Sequence, residues 1–414
     1  MEVKNIKLNI NYVFVVALIF TLFLGLSLVS ANDVNMDDNV KFTDDDIKTT
    51  SISNDIDDVE VNENNANENF RRPTNCNTVA NDDIVTGAND VLNISSLNNT
   101  INSGATEIIL EHDYAYDEST DSAFTSGIII NNNLTIDGNG YTIDLGGKIR
   151  FLNINSNKVV ILKNINVKNG GGNSEAGAIR SEKSHLTIIN SNFTDNSASL
   201  RGGVIYFREG NFTLENCSFS GNTIGSYGGG AVYIYGSNGN ITNSKFTGNY
   251  ANNGGGAVYT SPETNQIKIN IIGSSFDDNH ATYGGAVYVN TGCNVNLINS
   301  NFTANIGSGG GAIYTCSNIE ITDVLFSANN ATNGGVVYIS NTAPKFMNAS
   351  FTNNHANSGG VVYVTNYGSV NFYNSSFTSN NASMGGVVYI YSGCGATFDN
   401  SSFTGNYASS GGVV

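Results

Sequence analysis

Few side chains in this sequence have the type and spacing to do chemistry. Paired carboxylates at a fixed separation hydrolyse glycosidic bonds, and carboxylates holding Ca²⁺ beside a basic group serve elimination. Between Val167 and Phe403 the one adjacent acidic pair is Asp277-Asp278, and no arginine stands near it. Arg201 and Arg208 flank a short apolar run, with Glu209 directly after the second, a grouping that reads as a charged turn. The histidines His112, His185, His280 and His355 are scattered, and none of the five cysteines (Cys76, Cys217, Cys293, Cys316, Cys394) forms a CxxC pair. Whether any of these groups meet depends on how the chain runs between them.

The chain repeats itself. Phenylalanine recurs at 193, 219, 246, 276, 302, 326, 351, 377 and 403, with Val167 in the same slot one period earlier. A period of about 26 residues is the signature of a solenoid or array. Five residues before each Phe stands Ile188, Leu214, Ile241, Ile271, Leu297, Ile321, Phe346, Phe372 or Phe398, and the seventh is usually apolar too. Two-residue alternation is a strand with one buried face. After a Gly-Gly pair comes a second strand with a β-branched residue followed by tyrosine: Tyr206, Tyr233, Tyr259, Tyr288, Tyr314, Tyr338, Tyr363 and Tyr389. Three residues after every Phe sits an asparagine: Asn196, Asn222, Asn249, Asn279, Asn305, Asn329, Asn354, Asn380 and Asn406. Asparagine tolerates a left-handed turn, and stacked copies can hydrogen-bond as a ladder.

The fold class that follows is all-β, a right-handed parallel β-helix in which each period is one coil. No coil buries its apolar face alone, so each stacks on a copy of itself. At about 4.8 Å per coil, His280 and His355, three coils apart in one slot, stand too far apart to share a metal ion. Cys293 and Cys394, four coils apart, are out of disulfide reach. No catalytic, cofactor or metal residues are therefore assigned. The tyrosines form one stripe along the stack. Alternation favours the outer face, where amphipathic rings suit glycan or protein contact; on the inner face they would be packing. Triplets such as Asn192-Phe-Thr, Asn301-Phe-Thr and Asn381-Ala-Ser are glycosylation acceptors on an exported chain, although a sequence this rich in Asn, Ser and Thr makes them by chance.

Four segments are expected. Residues 1–31 read as a signal peptide, with Lys4 and Lys7 before an apolar run and small residues ending at Ala31. Residues 32–75 form an acidic, Asn/Asp-rich spacer unable to bury a core. Residues 76–150 hold an N-terminal cap and the first coils, with Ser95 as helix N-cap and Leu97 and Ile101 on one face. Residues 151–414 are the repeat β-helix, which stops at `GGVV` within a strand and so reads as truncated. The net charge of −17, with 18 Lys+Arg against 35 Asp+Glu, offers no basic stripe for nucleic acid.

Together, `GGAVY` or `GGVVY` and `FTGN`-type FxxN in each period resemble the polymorphic outer-membrane protein repeats of chlamydiae. From about Asp90 to Val414, with the `NLTIDGNGYTID` entry, the chain is similar to adhesin-like surface proteins of methanogenic archaea. That resemblance implies a secreted or surface-displayed β-helix that binds host or microbial cell-surface glycans or proteins, or matrix, without catalysis. The chain departs from the pattern in showing neither a β-barrel translocator nor a wall-binding module. Two other functions compete: a β-helical polysaccharide lyase or hydrolase, since the fold also carries such enzymes, and a structural envelope spacer.

Overall fold

The computed structural model describes residues 91–263 and 266–414, all within one compact unit, Asp83–Val414. The expected signal peptide and acidic spacer, and the start of the cap, lie outside the described residues.

The chain is an all-β parallel solenoid with four walls. One coil illustrates them: Cys293–Ile298 in the long wall, Asn301–Thr303 in the Phe wall, Ile306–Gly309 in the turn wall and Ile313–Thr315 in the Tyr wall. Stacked in register, these make sheets of 12, 13, 9 and 11 strands respectively, each strand paired with its copies in the coils before and after. Every pairing is parallel, and like falls on like: Phe276 on Phe302 on Phe326, Tyr288 on Tyr314 on Tyr338.

The core lies inside the coils. Val295, Leu297, Phe302 and Ile313 point inward and are buried. The Leu297, Phe302 and Ile313 places are filled by large apolar residues in the neighbouring coils, whereas the Val295 place varies from Gly239 to Phe212. The Phe rings stack almost parallel, as in Phe246–Phe276 at 4.8 Å and 2°, so the offset-stacked contact adds to the area removed from water.

Two corners differ from the sequence reading. The asparagine three after each Phe is not the left-handed residue. The residue before it is, for example Asp278 (φ 52°), Ala304 (φ 53°) and Gly248 (φ 61°). The left-handed turn thereby aims the asparagine inward, where Asn196 through Asn380 are fully buried. Left-handed asparagines occupy the other corner instead, between the long and Phe walls, at Asn216, Asn243, Asn299 and Asn374. The helix at the start, Ile94–Ile101, buries Leu97 and Ile101 over the first coil, but its N-cap is Asn93, whose side chain accepts from the Ser96 amide. Ser95 is displaced from that role because the Asp121 carboxylate already takes its hydroxyl and the Ile94 and Ser95 amides. Burial opposes the charge on Asp121, yet those hydrogen bonds and one from the Asp117 amide hold its pKa below the usual value.

Candidate functional site

The asparagine ladder runs unbroken from Asn196 to Asn406. Asn305 shows its wiring: Nδ2 donates to Asn329 Oδ1 at 3.0 Å and to the Phe276 carbonyl at 3.0 Å. Its Oδ1 accepts from the backbone amide and Nδ2 of Asn279, both at 3.0 Å. Each carboxamide thus ties neighbouring coils together with no polar atom unmet.

The tyrosine slot lies on the outer face of its wall, outside the main core. The rings stack along the axis, with Tyr259–Tyr288 at 4.6 Å and 5° and Tyr288–Tyr314 at 4.9 Å and 7°. They are not free. The turn wall folds beside them, and its glycines make room: a Cβ on Gly254 would stand 2.7 Å from Tyr288 Cδ2. Tyr206 and Tyr233 are only 4% and 6% exposed, and the other six are half-buried. Arg201 closes the first end of the stack, 5.0 Å above the Tyr227 ring and bonded to Glu175 at 2.7 Å.

Burial, reinforced by the Glu175 charge, pushes Tyr206 up to about 12, and burial also raises Tyr233, Tyr259, Tyr288, Tyr314, Tyr338 and Tyr363 above 10.0. In the unfolded chain these phenols ionise near pH 10. The stabilisation is therefore complete below pH 10 and drains away as pH rises from there toward the folded values. Alkaline titration should show tyrosinate absorbance appearing together with loss of the β circular-dichroism signal. Full tyrosine ionisation with an unchanged β signal would contradict the burial.

Arg201, Arg208 and Glu209, adjacent in sequence terms, belong to a larger ionic network. Arg180 holds Glu182 at 2.5 Å, Arg208 holds Glu209 at 3.1 Å and Glu182 at 3.4 Å, and Lys183 holds Glu209 at 3.3 Å. Asp277-Asp278 gathers no guanidinium; Asp278 instead meets His280 at 2.9 Å on the surface. His280 and His355 are kept apart by two intervening strands of the turn wall. Cys217, Cys293, Cys316 and Cys394 are free thiols.

Two carboxylates that the sequence analysis did not single out as a pair come near each other here. Glu209 and Glu263 face each other across Gly236: a Cβ on that glycine would stand 3.3 Å from Glu209 Cγ and 3.2 Å from Glu263 Cβ. Partial desolvation opposes the Glu209 charge, but Lys183 and Arg208 pull its pKa below the usual value. The available signal was the 30-residue gap between Phe246 and Phe276, which inserts `SPETNQ` into one turn.

That turn shapes the most developed concavity. Where the Tyr wall bends into the long wall, three adjoining hollows of about 420, 450 and 520 Å³ share Gln266, the last two also Gly292, and form a trough along the stack. It runs from Glu209 to Ser369. In register, Asn211, Asn238, Lys268, Asn294, Asn318, Ala343 and Ser369 follow one another coil by coil. These six steps span about 29 Å at about 4.8 Å each. Asn238 Oδ1 accepts from the Lys268 amide at 2.7 Å, and Asn318 Oδ1 accepts from Thr342 Oγ1 at 2.7 Å and the Ala343 amide at 2.8 Å. Pinned by their oxygens, these two amides line the trough with Nδ2 groups that have no hydrogen-bond partner among the described residues. The far end is marked by Tyr367, 85% exposed, whose ring lies over Gly393 of the next coil, 3.0 Å from where a Cβ would stand. A separate groove of about 710 Å³ crosses the turn wall beside Tyr250.

Family models cover adjoining parts of the chain. Residues 88–200 match a pectate lyase-like adhesive domain, and residues 202–377 match a right handed beta helix region. No curated protein matches. Among solved structures, tailspike protein 3 of bacteriophage CBA120 aligns over 78% of this chain and 54% of its own, with 12% identity and a TM-score of 0.39. The chain thus spans about half of that tailspike, a likeness too loose to speak to function.

Proposed function

We propose that this is a secreted or cell-surface, adhesin-like β-helix that binds saccharide of cells or matrix in the trough and performs no chemistry on it. The observation that carries this reading is the trough itself, open along its length and lined by carboxamides, of which Asn238 and Asn318 are already held by their oxygens. Fixed amides bind hydroxyl-rich ligands at little ordering cost, and an exposed aromatic ring offers a flat apolar face with a polar tip. The match of residues 88–200 to an adhesive domain agrees with it.

Glu209 and Glu263 are the one feature that favours an enzyme. Hydrolysis needs one carboxyl kept protonated by a raised pKa and a separation of about 5 Å or more for sugar or water. Glu209 instead has Lys183 at 3.3 Å and Arg208 at 3.1 Å, and these cations pull its pKa below the usual value, the opposite of what a proton-donating carboxyl needs. The full chain, incubated with a panel of glycans and cells, should be retained while no new reducing or unsaturated sugar ends appear in the same tubes. Released ends, abolished by Glu263→Gln, would establish an enzyme. Neither retention nor release would favour a spacer role in an envelope.

A further inference from the structure

The trough has a direction, a repeat and a charge, and together they narrow its ligand. Polar side chains recur along the axis in the register row Asn211, Asn238, Lys268, Asn294 and Asn318, with Ala343 the one apolar member before Ser369. A ligand that meets equivalent donors at equal steps is itself a repeating polymer lying parallel to the stack. A ligand lying across it would meet one coil's residues and then leave the hollow.

The charges along the lining are Glu209, Glu263 and Glu320 against Lys268. Glu209 is already matched by Lys183 and Arg208, but those cations are spent on carboxylates and offer no unpaired site to an anion. Residues 91–414 carry 19 Asp+Glu against 12 Lys+Arg, a net −7, so the longer-range field also disfavours polyanions. Uronate carboxylates placed at each sugar would stand among carboxylates, without a guanidinium fork to receive them. Hydroxyl groups meet no such penalty.

From this we infer that the trough takes a neutral, linear polysaccharide, laid along the coil axis with about one sugar residue per coil over about six coils. The inference rests on the saccharide-binding reading above and specifies the ligand class and its orientation. Tyr367 closes one end as a stacking platform, and the Glu209–Glu263 pair marks the other.

Binding of size-graded neutral oligosaccharides and of oligouronates of matched length to the full chain tests it, with the Glu209→Gln/Glu263→Gln/Glu320→Gln variant alongside. Neutral oligomers should tighten with each added residue up to about six and then level off. Oligouronates should bind at least about tenfold more weakly at low salt, the gap closing as salt screens the field and closing also in the triple variant. Affinity that levels off at two or three residues would overturn the axial orientation. Oligouronates that bind as well as neutral oligomers would overturn the charge selection while leaving saccharide binding intact. If neither class binds the wild-type chain or the variant, the saccharide reading fails and the inference falls with it. Thermal unfolding of the variant separates a lost site from a lost fold.

Discussion

Asn305→Asp should leave the chain unable to fold stably at neutral pH, although the two side chains have the same shape. The substitution removes both Nδ2 donors, so an oxygen faces the Phe276 carbonyl and Asn329 Oδ1, each 3.0 Å from the atom it replaces. It also places a charge where Asn305 has no exposed surface. Unmet buried acceptors cost about 1–3 kcal/mol each, and the unpaired charge adds to that, for a loss of about 5 kcal/mol or more. Burial raises the new carboxyl above its unfolded value of about 3.9. The variant is therefore least unstable in acid, where the protonated group donates one bond, and loses stability as pH rises through the unfolded value. Because coils hold only to their neighbours, the break should split unfolding into two transitions. Urea unfolding followed by circular dichroism checks both points. A single transition with wild-type midpoint would show that the ladder carries no stability.

Gly311→Ala comes second in size, and its cause is space rather than backbone conformation. Gly310 takes the left-handed turn (φ 71°), whereas Gly311 follows with no positive φ. Its added Cβ would collide with the Gly335 carbonyl oxygen and stand 2.9 Å from the Asn330 amide nitrogen and carbonyl oxygen. Backbone of two coils must move to admit it, at a cost of about 3 kcal/mol or more. Gly248→Ala is the matched contrast. Gly248 sits at φ 61° with nothing within 4 Å of a Cβ, so only the left-handed penalty applies, about 1 kcal/mol. Thermal melts should rank Gly311→Ala well below Gly248→Ala, and the reverse order would mean that close coil contact does not constrain the Gly-Gly corner.

The contrast between walls explains what the sequence could disclose. Phe302, Leu297 and Ile313 face identical surroundings in every coil, so periodicity alone located the walls and their inner faces. Asn305 was legible as a ladder position, but not its conformation, because the residue that turns left-handed varies among Asp, Ala, Ser, Asn and Gly. The cover over the tyrosines escaped detection for another reason. Tyr288 packs on Gly254, a residue of a different wall, and a repeat pattern carries no record of which walls touch. The trough was least legible. It occupies the turn whose length changes from coil to coil, from `SPETNQ` to the shorter passage before Ile319, so its residues share a place without sharing a slot. Glu263 stands in that insertion, which is why its meeting with Glu209 had no periodic trace.

The trough as binding site is tested most directly by the dissociation constant of the best retained neutral oligosaccharide for the wild-type chain and for Asn294→Ala/Tyr367→Ala. Neither side chain makes a hydrogen bond among the described residues, and Tyr367 is largely exposed, so the variant should keep its melting temperature. The account predicts binding about 100-fold weaker in that variant and unchanged in Tyr250→Ala, which alters only the groove over the turn wall. Unchanged affinity in Asn294→Ala/Tyr367→Ala, or a loss confined to Tyr250→Ala, would contradict it.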